Sequence, residues 1–275
     1  MIDSGTEKKP EISIVVPVMN EAGNVIPLME AILDVYGKRH IEMIFVDDAS
    51  SDDTAAELAA MQQRFPQLRV LAHSHRCGQS AAMRSGIMAA RAPLIATLDG
   101  DGQNLPSDLP KLEAAHAEQR CAVGADGSNL VLVAGVRLRR RDSWAKRQAS
   151  LAARRIRRWC LGDSHPDSGC GIRMFDRQLF LQLPYFDHFH RFMPALAHRQ
   201  GAVVVAVPVG HAARQRGVSK YRVLDRLIVG ISDLLGVMWL IRRHPRRLVV
   251  QEKERLPASK TGLNKSVGKG KERQA

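Results

Sequence analysis

Leu94-Ile95-Ala96-Thr97-Leu98-Asp99-Gly100-Asp101-Gly102-Gln103 is an apolar run that stops abruptly in two acids, two glycines and an amide. A short apolar run closed by turn residues reads as a buried strand with a polar loop at its carboxyl end. Upstream the same pattern repeats. Ile12 to Val16 is a β-branched run ending at Pro17, Glu42 to Val46 runs into Asp47–Asp53, and Arg69 to Ala72 forms a third strand. Between them lie stretches with helical apolar spacing: Asn24 to Val35, Thr54 to Arg64, and about Gln79 to Ala90. Strands alternating with helices at this spacing predict a parallel sheet with helices on both faces, and ligands in such sheets bind beyond the carboxyl ends of the strands. The polar clusters fall there.

The second half is less regular. Leu130 to Ala134 and Val203 to Pro208 read as strands, Ser143 to Trp159 as a strongly basic helix, and Leu224 to Arg243 as a helix that is apolar almost all round. Among the 275 residues, 41 Lys and Arg stand against 28 Asp and Glu, a formal net charge of +13, which implies anionic partners. The excess is clustered: ten Lys and Arg lie between Arg137 and Arg158 against the single acid Asp142. Nucleic acid fits poorly, because only 5% of residues are aromatic, no stacking platform is evident, and acids at strand tips repel phosphate unless a cation intervenes. The polar N-terminus lacks the apolar segment of a signal peptide, and the four cysteines show neither zinc spacing nor a paired framework. Both features fit a reducing cytoplasm, with the cysteines as packing residues.

Asp99, Asp101 and Gln103 make a compact set of hard oxygen donors, the kind that Mg²⁺ or Mn²⁺ prefers and shares with substrate phosphates. An Asp/Gly surface turn is the plainer alternative, and placement at a strand end argues against it. In Asp47-Asp48-Ala49-Ser50-Ser51-Asp52-Asp53-Thr54, one of the last three residues suits a cap for the following helix. Capping leaves the acids at the strand tip unexplained, and a carboxylate there can accept hydrogen bonds from a base or ribose. Pro17-Val18-Met19-Asn20-Glu21 is a third cluster.

Together, in this order and spacing, the three clusters resemble family 2 glycosyltransferases, whose nucleotide-binding domain carries a PxxNE-like turn, a DD-x-S-x-D-x-T segment and a DxD. Two further segments, Asp167-Ser168-Gly169-Cys170-Gly171-Ile172-Arg173 and Arg214-Gln215-Arg216-Gly217-Val218-Ser219-Lys220-Tyr221, resemble motifs of the dolichyl-phosphate mannosyltransferase-like branch, which transfers sugars to polyprenyl phosphates. The resemblance implies a GT-A type, Rossmann-like, mostly parallel α/β sheet with helices on both faces, plus a C-terminal amphipathic interface helix. It implies a catalytic domain over residues 10–223, with a nucleotide-sugar half to about 110 and an acceptor half from 111. The interface helix would span 224–247 and a basic disordered tail 248–275.

Carried over residue by residue, the resemblance implies metal or diphosphate roles for Asp99, Asp101 and Gln103. It puts Pro17, Asn20, Glu21 and Asp48 with Asp99 and Asp101 at the nucleotide-sugar. Arg214, Ser219 and Lys220 would meet the donor diphosphate and the acceptor phosphate, and Arg137 and Arg147 the lipid phosphate, with Arg139, Arg140 and Arg141 as alternatives in register. Asp101, Arg137, Arg214 and Lys220 are thereby the catalytic candidates. Gly100 and Gly102 stand where relatives often carry an aromatic or Leu, which predicts a looser loop.

The implied reaction is metal-dependent, inverting transfer of a hexosyl group from a UDP- or GDP-sugar to polyprenyl phosphate. A phosphate monoester is already anionic and needs alignment by arginines, whereas a hydroxyl acceptor needs a base, for which Asp167 is the candidate. The alternatives are a family 2 enzyme acting on a glycan or lipid hydroxyl, and an inactive membrane-associated scaffold. Trp239 and Arg242-Arg243 suit an interface, so the Leu224–Arg243 helix reads as lying on an anionic leaflet, with a buried core helix or a dimer contact as alternatives. The expected location is peripheral, on the cytoplasmic face of the inner membrane. Relatives often work beside a separate small membrane protein, which the resemblance extends to this chain. His188, His190 and His211 are too irregularly placed for a metal site, although His190-Arg191-Phe192 lies in a stretch relatives use near the acceptor.

Overall fold

The computed structural model describes residues 9–122, 130–137, 155–162, 165–212 and 223–243. The first half is β1 (Ile12–Val18), α1 (Val25–Tyr36), β2 (Ile41–Asp47), α2 (Thr54–Arg64), β3 (Leu68–Ala72), α3 (Gln79–Ala89) and β4 (Leu94–Thr97). Every element expected there is present. After α4 (Leu109–Ala122) come β5 (Val131–Arg137), a helical stretch α5 over residues 155–161, β6 (Arg173–Asp176), α6 (Arg177–Gln182), α7 (Met193–Arg199), β7 (Val203–Val209) and α8 (Val223–Arg242). Of the expected Ser143–Trp159 helix, residues 143–154 lie outside the described part.

The described strands form one seven-stranded sheet in the order β3-β2-β1-β4-β6-β5-β7. Only β6 runs antiparallel to its neighbours β4 and β5; the other pairings are parallel. The mostly parallel expectation therefore holds, with β6 as an unforeseen strand. β6 is four residues long and opens on the buried Arg173, so it has no apolar run to announce it.

Strand periodicity sorts the core. In β1 and β2, Ile12, Ile14, Val16, Met43 and Phe45 face one apolar layer under α1, α2 and α4. Val15, Ile44 and Val46 face the other, under α3, α6, α7 and α8. Alternate residues point to opposite faces of a sheet, so strands covered on both sides must be apolar at nearly every position, as these are. Pro17 marks a boundary. The β1–β2 ladder continues through Pro17 to Val18, but the β1–β4 ladder ends at Val15. Proline has no N–H to give a ladder, so the two central strands part there. The gap opens at the point where strand order reverses, which is where open α/β sheets hold ligands.

Close packing of α3 on β1 fixes the floor of that gap. A Cβ at Gly86 would overlap the Val15 side chain and press on Val46. Gly86→Ala is expected to destabilise the fold by about 1–3 kcal/mol through overpacking, read as a lower urea midpoint with unchanged m.

Candidate active site

The loop after β4 is tightly held. The Asp99 N–H donates to Asn104 Oδ1 at 2.9 Å, and the Gln103 N–H donates to Asp101 Oδ1 at 3.1 Å. Gly100 passes so close to β1 that a Cβ would stand 2.6 Å from Val18 Cγ1 and 3.0 Å from the Pro17 carbonyl. Glycine here serves close approach, so the expected looseness at Gly100 is corrected. Gly102 has φ +71°, a left-handed turn position that glycine adopts without strain.

Asp99 is the electrostatic centre. Its carboxyl pKa is pushed up to about 6, first by burial and then by the charge of Asp101, against the opposing pull of Arg173 and Arg137. Gln79 Nε2 donates to its Oδ1 at 2.8 Å. Two acids held together, one of them half-buried in the cavity wall, form a donor set that a divalent cation would complete. The residues therefore fit Mg²⁺ or Mn²⁺. Gln103 also ties the loop to the segment after β7: its side-chain Nε2 lies 3.4 Å from both the His211 ring and the Ala212 carbonyl, and its backbone carbonyl accepts from the Ala212 N–H.

The Asp167–Arg173 segment acquires a steric meaning. A Cβ at Gly171 would land on the Asp99 carboxylate, and one at Gly169 would stand 3.3 Å from an Arg137 guanidinium nitrogen. Cys170, between them, is core. Arg173 is buried and donates to the Ser168 carbonyl at 3.1 Å; burial pulls its pKa down while Asp99 opposes the shift. Arg137 makes a forked ion pair with Asp167, at 2.7 Å from Nε and 2.8 Å from Nη2. That pair gives Arg137 a carboxylate partner and holds Asp167 beside a guanidinium.

The other candidates divide. Pro17 and Asp99 line one cavity of about 460 Å³, whose walls include Arg157, Arg173, His190 and Arg191. Asn20 and Glu21 brace the β1 and β2 tips: Asn20 Oδ1 accepts the Ser51 N–H at 2.7 Å, and the Glu21 N–H donates to Thr54 Oγ1 at 2.9 Å. Glu21 Oε2 accepts from Asn24 at 2.8 Å. Helix α2 starts under Asp52, which accepts from the Thr54 N–H, while Asp53 makes no capping bond. Asp48 accepts from the N–H groups of Cys77 and Gly78 at 2.8 and 2.7 Å and contacts His73 Nδ1 at 2.7 Å. Burial would raise its pKa, but these bonds outweigh it and hold the carboxyl below its ordinary value. Arg147, Arg214, Ser219 and Lys220, like Arg139, Arg140 and Arg141, lie outside the described residues.

Sequence reasoning gave no role to Arg157 or Arg173, and set Arg191 only within a stretch relatives use near the acceptor. The place of Arg173 at the end of a matched motif was the available signal; Arg157 was hidden in a basic run. His190 Nδ1 lies 2.7 Å from Ser80 Oγ, and its pKa falls to about 3 through burial first and then the charges of Arg173 and Arg191. It is a neutral hydrogen-bonding group and a poor base.

Helix α8 closes one side of the cavity with Gly230 and Leu234. Val237 is buried in the core, and Asp233 Oδ2 approaches His188 Nδ1 at 3.3 Å. The opposite face exposes Ile231, Leu235 and Trp239 at 52%, 54% and 60%. The helix therefore packs on the domain by one stripe and presents an apolar ridge by the other, and α5 adds exposed Ile156 and Trp159. Among the described residues, no helix is long and apolar enough to cross a membrane.

The doubly covered sheet with acids at its central strand tips is the GT-A glycosyltransferase fold. The solved structures share it: a mannosyltransferase from Pyrobaculum calidifontis, in complex with GDP-mannose and Mn²⁺, superposes with TM-score 0.58 at 18% identity, covering 87% of this chain and 66% of that one. Glucosyl-3-phosphoglycerate synthase from Mycobacterium tuberculosis, with Mn²⁺, UDP and glucosyl-3-phosphoglycerate, gives 0.54 at 19%, covering 84% and 80%. The profile of "Glycosyl transferase family 2" matches residues 13–183, and the chain belongs to that family. It is 35% identical over 253 residues to dodecaprenyl-phosphate galacturonate synthase of Rhizobium johnstonii, covering 86% of this chain and 69% of the relative. It is 34% identical over 233 residues to undecaprenyl-phosphate 4-deoxy-4-formamido-L-arabinose transferase of Edwardsiella ictaluri, covering 83% and 66%. The chain spans about two thirds of the length of these relatives.

Asp99 is the target of two predictions. Below about pH 3 the carboxyl is protonated in folded and unfolded chains alike and costs nothing. As pH rises towards 6, the unfolded chain loses the proton first, so stability falls, and the deficit is constant above pH 6. Asp99→Asn is therefore expected to raise the Tm of metal-free protein at pH 7.5, on the order of 5 °C, with no gain at pH 3. Gly171→Ala is expected to displace the Asp99 carboxylate and weaken Mn²⁺ binding more than tenfold, measured by titration calorimetry in the presence of nucleoside diphosphate.

Proposed function

We propose that this glycosyltransferase moves a hexosyl group from a UDP- or GDP-sugar to polyprenyl phosphate, with inversion at the anomeric carbon. The observation that carries the reading is the composition of the cavity: Asp99, with the charge of Asp101 beside it, lines the same space as Arg157, Arg173 and Arg191. The curated relatives, whose names specify dodecaprenyl or undecaprenyl phosphate, support the acceptor class.

Asp99 and Asp101 would hold Mg²⁺ or Mn²⁺, which stabilises the departing diphosphate when bound. Pro17 and the carboxylate of Asp48 serve the nucleotide, with Asn20 and Glu21 keeping the strand tips in place around it. Arg157, Arg173 and Arg191 align the acceptor phosphate and screen it from the donor diphosphate. One phosphate oxygen attacks the anomeric carbon as the bond to the diphosphate oxygen breaks on the opposite face. No proton has to leave the attacking oxygen. That suits a cavity lined by His190, which stays neutral. A hydroxyl acceptor would need a base that these groups do not supply.

Arg214, Ser219 and Lys220 are proposed to complete the phosphate site. Arg137 acts by holding Asp167, and Arg147 remains a candidate for the lipid phosphate. The ridge of α8 and the exposed Trp159 of α5 would meet the cytoplasmic leaflet of the inner membrane, with basic neighbours such as Arg158 and Arg242 attracting anionic lipid. A small membrane protein is a proposed partner on the same side.

Purified protein in lipid micelles, offered undecaprenyl phosphate and a panel of UDP- and GDP-sugars, is expected to form one lipid-linked sugar. EDTA and Asp101→Ala should each abolish it while the fold persists. Donor binding without lipid product would refute the acceptor assignment. Replacing both Trp159 and Trp239 by Ser is expected to weaken sedimentation with anionic vesicles by about tenfold or more, with the circular dichroism spectrum unchanged.

A further inference from the structure

At the tip of β2, on the far side of β1 from the acid loop, three dissimilar ligand groups converge. Asp48, His73 and Cys77 each offer one ligand atom, and these atoms lie within 4.8 Å of one another. Asp48 is buried, His73 partly so, and Cys77 is exposed, leaving the cluster open on one side. We propose that Asp48, His73 and Cys77 form a binding site for a borderline-soft divalent cation of the Zn²⁺ class.

The arrangement is built by the backbone and does not depend on chance side-chain positions. Asp48 Oδ1 accepts the Cys77 N–H and Oδ2 accepts the Gly78 N–H, so the thiol-bearing residue is fastened to the carboxylate. The His73 N–H donates to the Asp47 carbonyl at 2.9 Å, which fastens the imidazole to the same strand tip. His73 then turns Nδ1 towards Asp48 and Nε2 towards Ser85 Oγ, at 2.7 and 2.9 Å. A metal-ligating histidine commonly has this shape: one nitrogen for the ion, the other holding a hydrogen-bond partner that fixes the ring.

The chemistry balances. On binding, the Cys77 thiol releases its proton, and the neutral His73 ring coordinates through Nδ1 as the tautomer whose single N–H, at Nε2, donates to Ser85. Carboxylate, neutral imidazole and thiolate together carry two negative charges, which a divalent ion cancels. Tetrahedral Zn²⁺ spaces such ligand atoms roughly 3.3–3.6 Å apart. The His73–Asp48 contact therefore opens slightly, and Cys77 Sγ exchanges its 3.3 Å bond to the His75 carbonyl for the ion. A thiolate–imidazole–carboxylate set favours Zn²⁺ or Co²⁺ over Mg²⁺, so this site and the oxygen-only acid pair differ in the metals they select. Because Asp48 is also proposed to serve the nucleotide, occupancy would oppose donor binding; this consequence alone rests on the proposed function.

The test is a titration of the full chain with Co²⁺, followed by absorbance. The expected result is a near-ultraviolet thiolate-to-cobalt band that is lost in Cys77→Ser, weakened at least tenfold in apparent affinity in His73→Ala, and kept in Cys121→Ser. The exposed Cys77 can be changed without disturbing the backbone N–H bond to Asp48. No band in the native chain, or a band that persists in Cys77→Ser, overturns the site. Binding of nucleoside diphosphate with Mg²⁺, measured before and after Zn²⁺ is added, tests the consequence. Binding at the start that Zn²⁺ leaves unchanged overturns the competition, whereas absent binding at the start counts against the donor reading and leaves the cobalt result standing.

Discussion

Holding Asp99 beside Asp101 inside protein is the constraint on which the rest of this structure turns. Two like charges in a partly dry setting repel, and the fold meets that repulsion with geometry before any ligand arrives. Arg173 lies buried within electrostatic reach, Gln79 donates a hydrogen bond, and Gly171 leaves the volume that the carboxylate fills. Each of these comes from a different element. The parting of β1 and β4 after Val15 makes the space they share. The β-strand that runs against the others, β6, is what brings Arg173 and the preceding glycines to the acid loop from the second half of the chain.

Much of this was legible in the residues, for reasons that can be named. A strand covered on both faces must be apolar at nearly every position, so β1, β2 and β4 could be read from short runs alone. The acid loop was legible because carboxylates and glycines rarely follow such a strand without purpose. β6 was not legible, since a four-residue strand opening on a buried arginine has no pattern of its own; its identity depends on Asp99, about seventy residues earlier. The partners of Gln103 and Arg137 were not legible for a related reason. A side chain's partner is chosen by the fold, and here Gln103 met Ala212 while Arg137 met Asp167. The cysteines show the same limit: packing holds for Cys170, but Cys77 and Cys121 are exposed.

Helix α8 resolves an ambiguity that composition alone could not. An apolar surface on nearly all sides suits either a core helix or a membrane-facing one, and this helix is partly each. Asp233, Leu234 and Val237 turn to the domain; Ile231, Leu235 and Trp239, one helical turn apart, turn away. The cavity is bounded in part by the inner stripe, so the element that presents the outer ridge also forms a wall of the reaction space.

The contact between His190 and Ser80 spans the two halves of the chain, joining the start of α3 to the turn before α7. It acts as a strut across the cavity, and it is a strut without charge. Ion pairs that bridge two lobes loosen as salt rises or as one partner titrates, and the spacing of the lobes drifts with them. A neutral imidazole whose protonation is suppressed to about pH 3 is indifferent to both over the whole range in which such a cell lives. Together with the neutral bond from Thr97 Oγ1 to the Gly171 carbonyl, it joins the two halves beside the cavity through contacts that the charged surroundings do not tune.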